Sequence, residues 1–307
     1  MAAILANKII SLFVVMLAGL ALVKFKVLKP EHSGILSKLM LYVMMPCVIV
    51  TSYQTEITSE LKQGLLVSLL AAVIVHALWL LTLRLLKKPL RLTGVETASL
   101  CYTNSGNLII PLLTAMIGKE WVIYTSTFIA VQQLLIWTHG KTLLCGSFDL
   151  KALFKNVNLI CIAIGLTLFL LQIKIPGAIE DGLETLAGMV GPTGMLVVGL
   201  LIGGLKSFKG FLKPRLWFIT VLRMFIMPML TLLVLYALGI SGMCANGGTI
   251  LLVTFMAVCA PAATTITNMC VVYGGDSEYA GSINILTNLL CVLSMPAMVM
   301  VFERLIA

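Results

Sequence analysis

Tyr102-Thr-Asn-Ser-Gly-Asn-Leu-Ile-Ile-Pro111 and Cys259-Ala-Pro-Ala-Ala-Thr-Thr-Ile-Thr-Asn268 are the two stretches whose reading decides the fold. Both are small, polar and helix-breaking, and each interrupts an otherwise apolar run. Unwound backbone at membrane depth survives only where it is buried in protein or lines a cavity. Paired interruptions in corresponding positions of two halves point to the binding site of a transporter. The expectation is a first helix that stops near Asn104 and restarts near Pro111, and a second that breaks around Pro261.

Working outward, the 307 residues are 60% hydrophobic and 11% charged. A soluble domain carries about 25% charged residues. The fold class expected is an all-α membrane protein with ten transmembrane helices, at 4–23, 35–54, 64–86, 95–117, 120–144, 158–174, 184–205, 214–238, 247–272 and 279–302. Each approaches the ~20 residues that cross the hydrocarbon core. Lys8 is the only charge at the start of the chain, near the beginning of the first span, and no A-x-A-like site follows that span, so it is expected to stay in the mature protein.

The net charge of +9 is a topology signal rather than a nucleic-acid footprint. Most basic residues fall in alternate loops: Lys24, Lys26 and Lys29; Arg84, Lys87, Lys88 and Arg91; Lys141, Lys151 and Lys155; Lys206, Lys209, Lys213 and Arg215. Basic loops stay cytoplasmic, which puts both termini on the extracytoplasmic side.

The connection 145–157 is the longest internal one, and it leaves a first five-helix repeat at 1–144 and a second at 158–307. An odd number of spans per half makes the second half enter the membrane inverted, giving a 5+5 inverted repeat. Pro46 pairs with Pro192 and Pro111 with Pro261 in the corresponding spans. No soluble domain or low-complexity tract is present.

Several chemistries are disfavoured. No Asp or Glu lies near the centre of a span, which counts against a carboxylate-coupled antiporter. There is no H-E-x-x-H pair, no paired-aspartate motif and no G-x-S-x-G elbow, so no enzyme is expected. The eight cysteines form no C-x-x-C pair and read as packing residues, with no metal site. His76 and His139 read likewise.

The candidate binding residues are Asn104, Ser105, Gly106 and Asn107 in the first break and Thr264 and Thr265 after the second. A restarted half-helix presents free N–H groups and about half a positive charge at its N-terminus. Side-chain amides add donors, so the site suits a carboxylate, although Asn104 and Asn107 would also serve as caps. Asn284 and Asn288 share one face of the last span at i, i+4 and either line a polar path or bond a neighbouring helix. Arg223, eight residues past Arg215, is roughly 12 Å into its helix. Its alternatives are an anionic substrate, the carbonyls freed by a broken helix, or a carboxylate such as Glu96. Gln132 and Gln133 flank the middle of the fifth span. Gly199-Leu-Leu-Ile-Gly203 has the spacing of close helix approach, and leaves monomer and homodimer both open.

The run 102–111 resembles the Asn-x-Gly-Asn-x-x-x-Pro signature of the auxin efflux carrier family, which includes plant PIN-type transporters and bacterial malate and malonate permeases. Ala260-Pro261-Ala262 with Tyr273-Gly-Gly-Asp276, the run Leu286 to Pro296, and Arg223 five residues ahead of Pro228 are similar to its later helices. The resemblance implies broken helices 4 and 9 crossing at Pro111 and Pro261. It also implies a scaffold of helices 1–2 and 6–7 against transport helices 3–5 and 8–10, with substrate carboxylate near Asn104 and Asn107. The short mid-chain loop fits the prokaryotic branch and hence a cell inner membrane. The function expected is secondary transport of small organic anions by alternating access, with no cofactor and with Na+ or H+ open as coupling ion. The alternatives are a sodium-coupled symporter of the bile-acid-transporter type, with Thr264, Thr265, Asn268 and Gln132 as oxygen ligands, and a non-transporting sensor or assembly subunit.

Overall fold

A computed structural model describes residues 2–146, 155, 157–204, 211 and 213–306. Most of the connection 145–157 and the basic residues Lys151, Lys206 and Lys209 lie outside the described residues, as do the side chains of Asn107 and Pro111. The regular structure among the described residues is helical. In chain order the helices are α1 (Ala2–Lys24), α2 (Pro30–Ser52), α3 (Ser59–Lys87), α4 (Gly94–Cys101), α5 (Ile110–Met116, entered through a π-helical turn Ser105–Ile109), α6 (Val122–Leu135), α7 (Val157–Leu170), α8 (Gly177–Gly203), α9 (Pro214–Ala237), α10 (Gly247–Cys259), α11 (Thr264–Tyr273) and α12 (Ser277–Ile306).

Five of these, α2, α3, α8, α9 and α12, are long and apolar enough to cross a membrane. Ile10–Lys24, α7 and α10 are shorter apolar helices. The two interrupted runs fall below span length because each is divided: 94–116 into α4 and α5, and 247–273 into α10 and α11.

The helices sort their faces as a bilayer requires. On α3, Val67, Ala71, Val75 and Trp79 recur every four residues and are buried, while Leu66, Leu70, Leu81 and Leu85 point outward. Outward leucines at that density suit lipid. Thr58 caps the start of α3 by accepting the Leu61 N–H at 3.0 Å, and Arg84 and Lys87 sit in its last turn against the negative end of the dipole.

α1 lies along the second half of α8 through glycines. A Cβ on Gly199 would come within 2.1 Å of the Met16 carbonyl, and one on Gly203 within 2.6 Å of Val23. The G-x-x-x-G spacing is therefore used inside the chain, against α1. At the charged end of the bundle Glu96, 2% exposed, receives Arg215 in a two-pronged ion pair at 2.7 and 2.8 Å and the Tyr279 hydroxyl at 2.9 Å. That cluster ties α4, α9 and α12 together, and it is Arg215 rather than Arg223 that takes Glu96.

Candidate functional site

The site is built where the two broken helices meet. α4 starts in a capping box, with Thr93 Oγ1 accepting the Glu96 N–H and Glu96 Oε2 accepting the Thr93 N–H. It stops at Cys101, because Tyr102 turns to an extended backbone at φ −114°, ψ 136°. α10 stops at Cys259 in the same way, with Ala260 extended at φ −62°, ψ 151°. Pro261 has no N–H and forbids continuation of the helix.

The extended residues pair with each other. Thr103 and Ala262 form an antiparallel bridge; the Asn104 N–H donates to the Pro261 carbonyl at 2.8 Å, and the Ala263 N–H donates to the Tyr102 carbonyl at 3.0 Å. Four main-chain groups freed by the breaks thereby satisfy one another. The groups left on Thr103 and Ala262 are taken by side chains from the helix that follows each break. Gln132 on α6 accepts the Thr103 N–H at 2.8 Å and donates to the Thr103 carbonyl at 2.9 Å and to Ser105 Oγ at 3.3 Å. On α12, Thr287 accepts the Ala262 N–H at 3.1 Å and Asn284 donates to the Ala262 carbonyl at 2.7 Å.

This corrects two expectations. The first break is residues 102–104, extended at Tyr102, bridged at Thr103 and turning at Asn104 (φ −83°, ψ 43°), and the chain is helical again from Ser105. Pro111 does not mark the crossing; it stands in the first turn of α5, just after the π-helical turn, where the N–H that proline lacks is tolerated. Pro261 does sit at the crossing.

Arg223 is also placed away from the cleft. It is wholly buried in a π-helical turn of α9, and its guanidinium donates to the carbonyls of Ala260 at 2.8 Å, Val258 at 3.0 Å and Leu100 at 3.4 Å. Its face lies over the Trp79 ring at 4.8 Å. Of the three roles open to it, the geometry matches the carbonyls of broken helices, and of both broken helices at once. Its length and planar fork explain why arginine fits there and a shorter cation would not.

Two adjoining cavities flank the crossing and share Asn104, Thr265 and Asn268. The larger, about 340 Å³, is bounded by the first break (Thr103 to Gly106), by Gln133 on α6 and Trp137 in the π-helical turn Ile136–Gly140 after it, by α2 at Tyr42 and Met45, and by Asn158 on α7. The smaller, about 70 Å³, reaches Thr264, Asn284 and Asn288, with Gly194 to Leu201 of α8 as its far wall. Asn104, Ser105, Gly106, Thr264, Thr265, Asn284 and Asn288 are thus gathered around one cleft; Arg223 is not, and Asn107 contributes described backbone only. None of the described lining side chains is charged.

Sequence reading missed Asn158 and Trp137. Asn158 was visible as a lone amide at the head of an apolar span; Trp137 carried no signal beyond its position four residues after Gln133. Asn158 Oδ1, Gln133 Oε1, Asn288 Oδ1 and Trp137 Nε1 are buried without a hydrogen-bond partner. Asn288, which lines the smaller cavity, donates through its Nδ2 to the Asn284 carbonyl at 2.8 Å and keeps its oxygen without a partner.

A helical, multi-pass membrane protein in which two broken helices meet beside a polar cleft is the class these features define. A family model described as membrane transport protein matches residues 4–147 and 139–299. The chain belongs to that family, the one typified by the auxin efflux carriers. None of the curated proteins compared with the chain matches it.

Proposed function

We propose that this protein is a secondary transporter of small organic anions, carboxylates such as malate or malonate, working by alternating access at the crossing of its broken helices. The observation that carries the reading is the crossing itself. Two half-helix N-termini, at Ser105 and Thr264, open onto one uncharged, amide-rich cleft. Main-chain N–H groups without a preceding helical carbonyl are suited to a carboxylate.

The ten-span, 5+5 inverted arrangement is part of the proposal. It is supported by the way α6 serves the first break through Gln132 and α12 serves the second through Asn284 and Thr287, each the helix next in sequence. The cleft lies between the crossing helices and residues of α2, α7 and α8, which fits helices 1–2 and 6–7 as scaffold and 3–5 and 8–10 as the moving unit. Both termini are proposed to face outward from a cell inner membrane. Flux is either driven by the membrane potential or coupled to Na+ or H+ through neutral oxygens.

The test is uptake of labelled mono- and dicarboxylates into proteoliposomes, with and without a sodium gradient. The Asn104→Ala, Asn107→Ala double variant should reconstitute normally and lose uptake. Undiminished uptake in that variant would remove the asparagines from the site. Dependence on external sodium would select Na+ as the coupling ion, the arrangement of the bile-acid-transporter-type alternative.

A further inference from the structure

We propose that the crossing is built to hold a single negative charge, so that the substrate is a monoanion with a hydrogen-bond donor on its body and a dicarboxylate travels only after taking up one proton. This rests on the carboxylate-transporter reading above and narrows it.

The inference starts from the charge balance of four helix ends. α4 and α10 end at the crossing with their carbonyls, and each such end carries about half a negative charge. Arg223 donates to carbonyls from both, Leu100 on one side and Val258 and Ala260 on the other. One guanidinium therefore balances two carbonyl ends, and no carboxylate among the described residues lies within ion-pair distance of it. On the other side stand two N-terminal ends, the continuous helical run 105–116 and α11 from Thr264. They bring about half a positive charge each, roughly one together. No described side chain lining the cleft is ionised to offset it. One carboxylate completes the balance; a second would lie in an uncharged cavity, where an unpaired ion is strongly disfavoured.

A second, independent observation concerns what lies away from the helix ends. Asn158 Oδ1 and Asn288 Oδ1 are unpartnered in side chains only 6% exposed, and both line the cavities; Gln133 Oε1 joins them. These three are acceptors, while the fourth unpartnered group, Trp137 Nε1 on the larger cavity, is a single donor that the carboxylate itself can take. A second carboxylate placed against the three oxygens would set lone pairs against lone pairs, whereas a hydroxyl, an amide N–H or a protonated carboxyl would donate. Tyr42, Met45, Ile129 and Met269 supply apolar wall for the carbon skeleton.

The experiment compares two labelled acids of matched skeleton, malonate and its monoamide malonamate, which carries one charge and an N–H donor, in proteoliposomes holding the full chain. At about pH 8 the monoamide should enter at least about tenfold faster than malonate, since an unmatched second charge is heavily penalised. Malonate uptake should climb as pH falls to about 5.5, where a second carboxyl gains its proton, while monoamide uptake stays level. Gln133→Lys, which adds a cation to the wall, should shift the ratio toward malonate by about tenfold at pH 8. Malonate uptake equal to or above that of the monoamide at pH 8 would overturn the single-charge site while leaving a carboxylate transporter. An unchanged ratio in Gln133→Lys, with uptake retained, would also count against it. Failure of both acids, and of the wider carboxylate panel, to enter at either pH would overturn the transporter reading and this inference with it.

Discussion

Replacing Arg223 with methionine keeps a long apolar stem in place and removes the fork that holds both broken helices. Two of its bonds, at 2.8 Å to Ala260 and 3.0 Å to Val258, have good geometry; the third, at 3.4 Å to Leu100, is weak. A hydrogen bond to a charged group is worth about 1.5–3 kcal/mol. Stacking over Trp79 at 4.8 Å in a desolvated setting adds ~1–2 kcal/mol. Against these stands the desolvation of a wholly buried guanidinium, which methionine no longer requires. Removing one partner from a buried charged cluster costs about 3–5 kcal/mol net, because the other partners stay behind unpaired. The expected result is a loss of that size in SDS-titrated unfolding from mixed micelles. Arg223→Lys should lie in between, since an ammonium on a shorter stem cannot reach carbonyls of both helices. Stability of Arg223→Met within ~0.5 kcal/mol of the native protein would refute the clamp, because surface-like changes fall in that range.

Four further outcomes follow from the geometry. Gln132→Leu leaves the Thr103 N–H and carbonyl both buried and unpaired, and should cost about 2–4 kcal/mol in the same unfolding titration; a neutral result would mean that water or another group serves Thr103. Gly199→Ala places a methyl within 2.1 Å of the Met16 carbonyl and 2.8 Å of the Leu20 nitrogen, so α1 and α8 must part, at ~1–3 kcal/mol; unchanged stability would refute their close approach. Glu96→Gln weakens the two-pronged Arg215 pair, and since Arg215 is 40% exposed the loss should be only ~1–2 kcal/mol, with Tyr279→Phe at ~0.5–1 kcal/mol. Asn288→Ala removes an unpartnered oxygen together with one bond to the Asn284 carbonyl, so it should cost only about 0.5–1.5 kcal/mol in unfolding while weakening substrate uptake strongly; a larger loss of stability with intact uptake would assign it to packing.

Local chemistry made the broken helices legible and left their partners hidden. Asn, Gly, Ser and Pro inside an apolar run signal an interruption because each disfavours a continued helix for its own reason, and both interruptions are present. The signal did not locate the first stop. Pro111 is the strongest breaker in that run, yet the chain turns nine residues earlier at Tyr102, where the bridge of Thr103 to Ala262 and the Ala263 N–H on the Tyr102 carbonyl reward an extended backbone. That pairing spans more than 150 residues and has no local trace. Asn284 and Asn288 were visible as a stripe, but which would be spent on the Ala262 carbonyl and which would keep a free oxygen depends on where the second break falls. Gln132 and Gln133 are neighbours of identical chemistry, and only the helix's orientation sends one to Thr103 and the other to the cavity. Arg223 is legible in the sequence as expensive at its depth; what balances it are main-chain carbonyls, which every sequence possesses and none advertises.

The bridge between Thr103 and Ala262 is made of peptide groups, and peptide groups do not mutate. Any descendant of this chain that keeps the two extended segments keeps the same junction, whatever side chains it acquires there. The walls contributed by α2, α6, α7 and α8 are under no such constraint. Gene duplication followed by drift can therefore recast the shape, polarity and size of the cleft while the main-chain junction stays inherited. A lineage built on this plan would diversify in cargo far faster than in architecture.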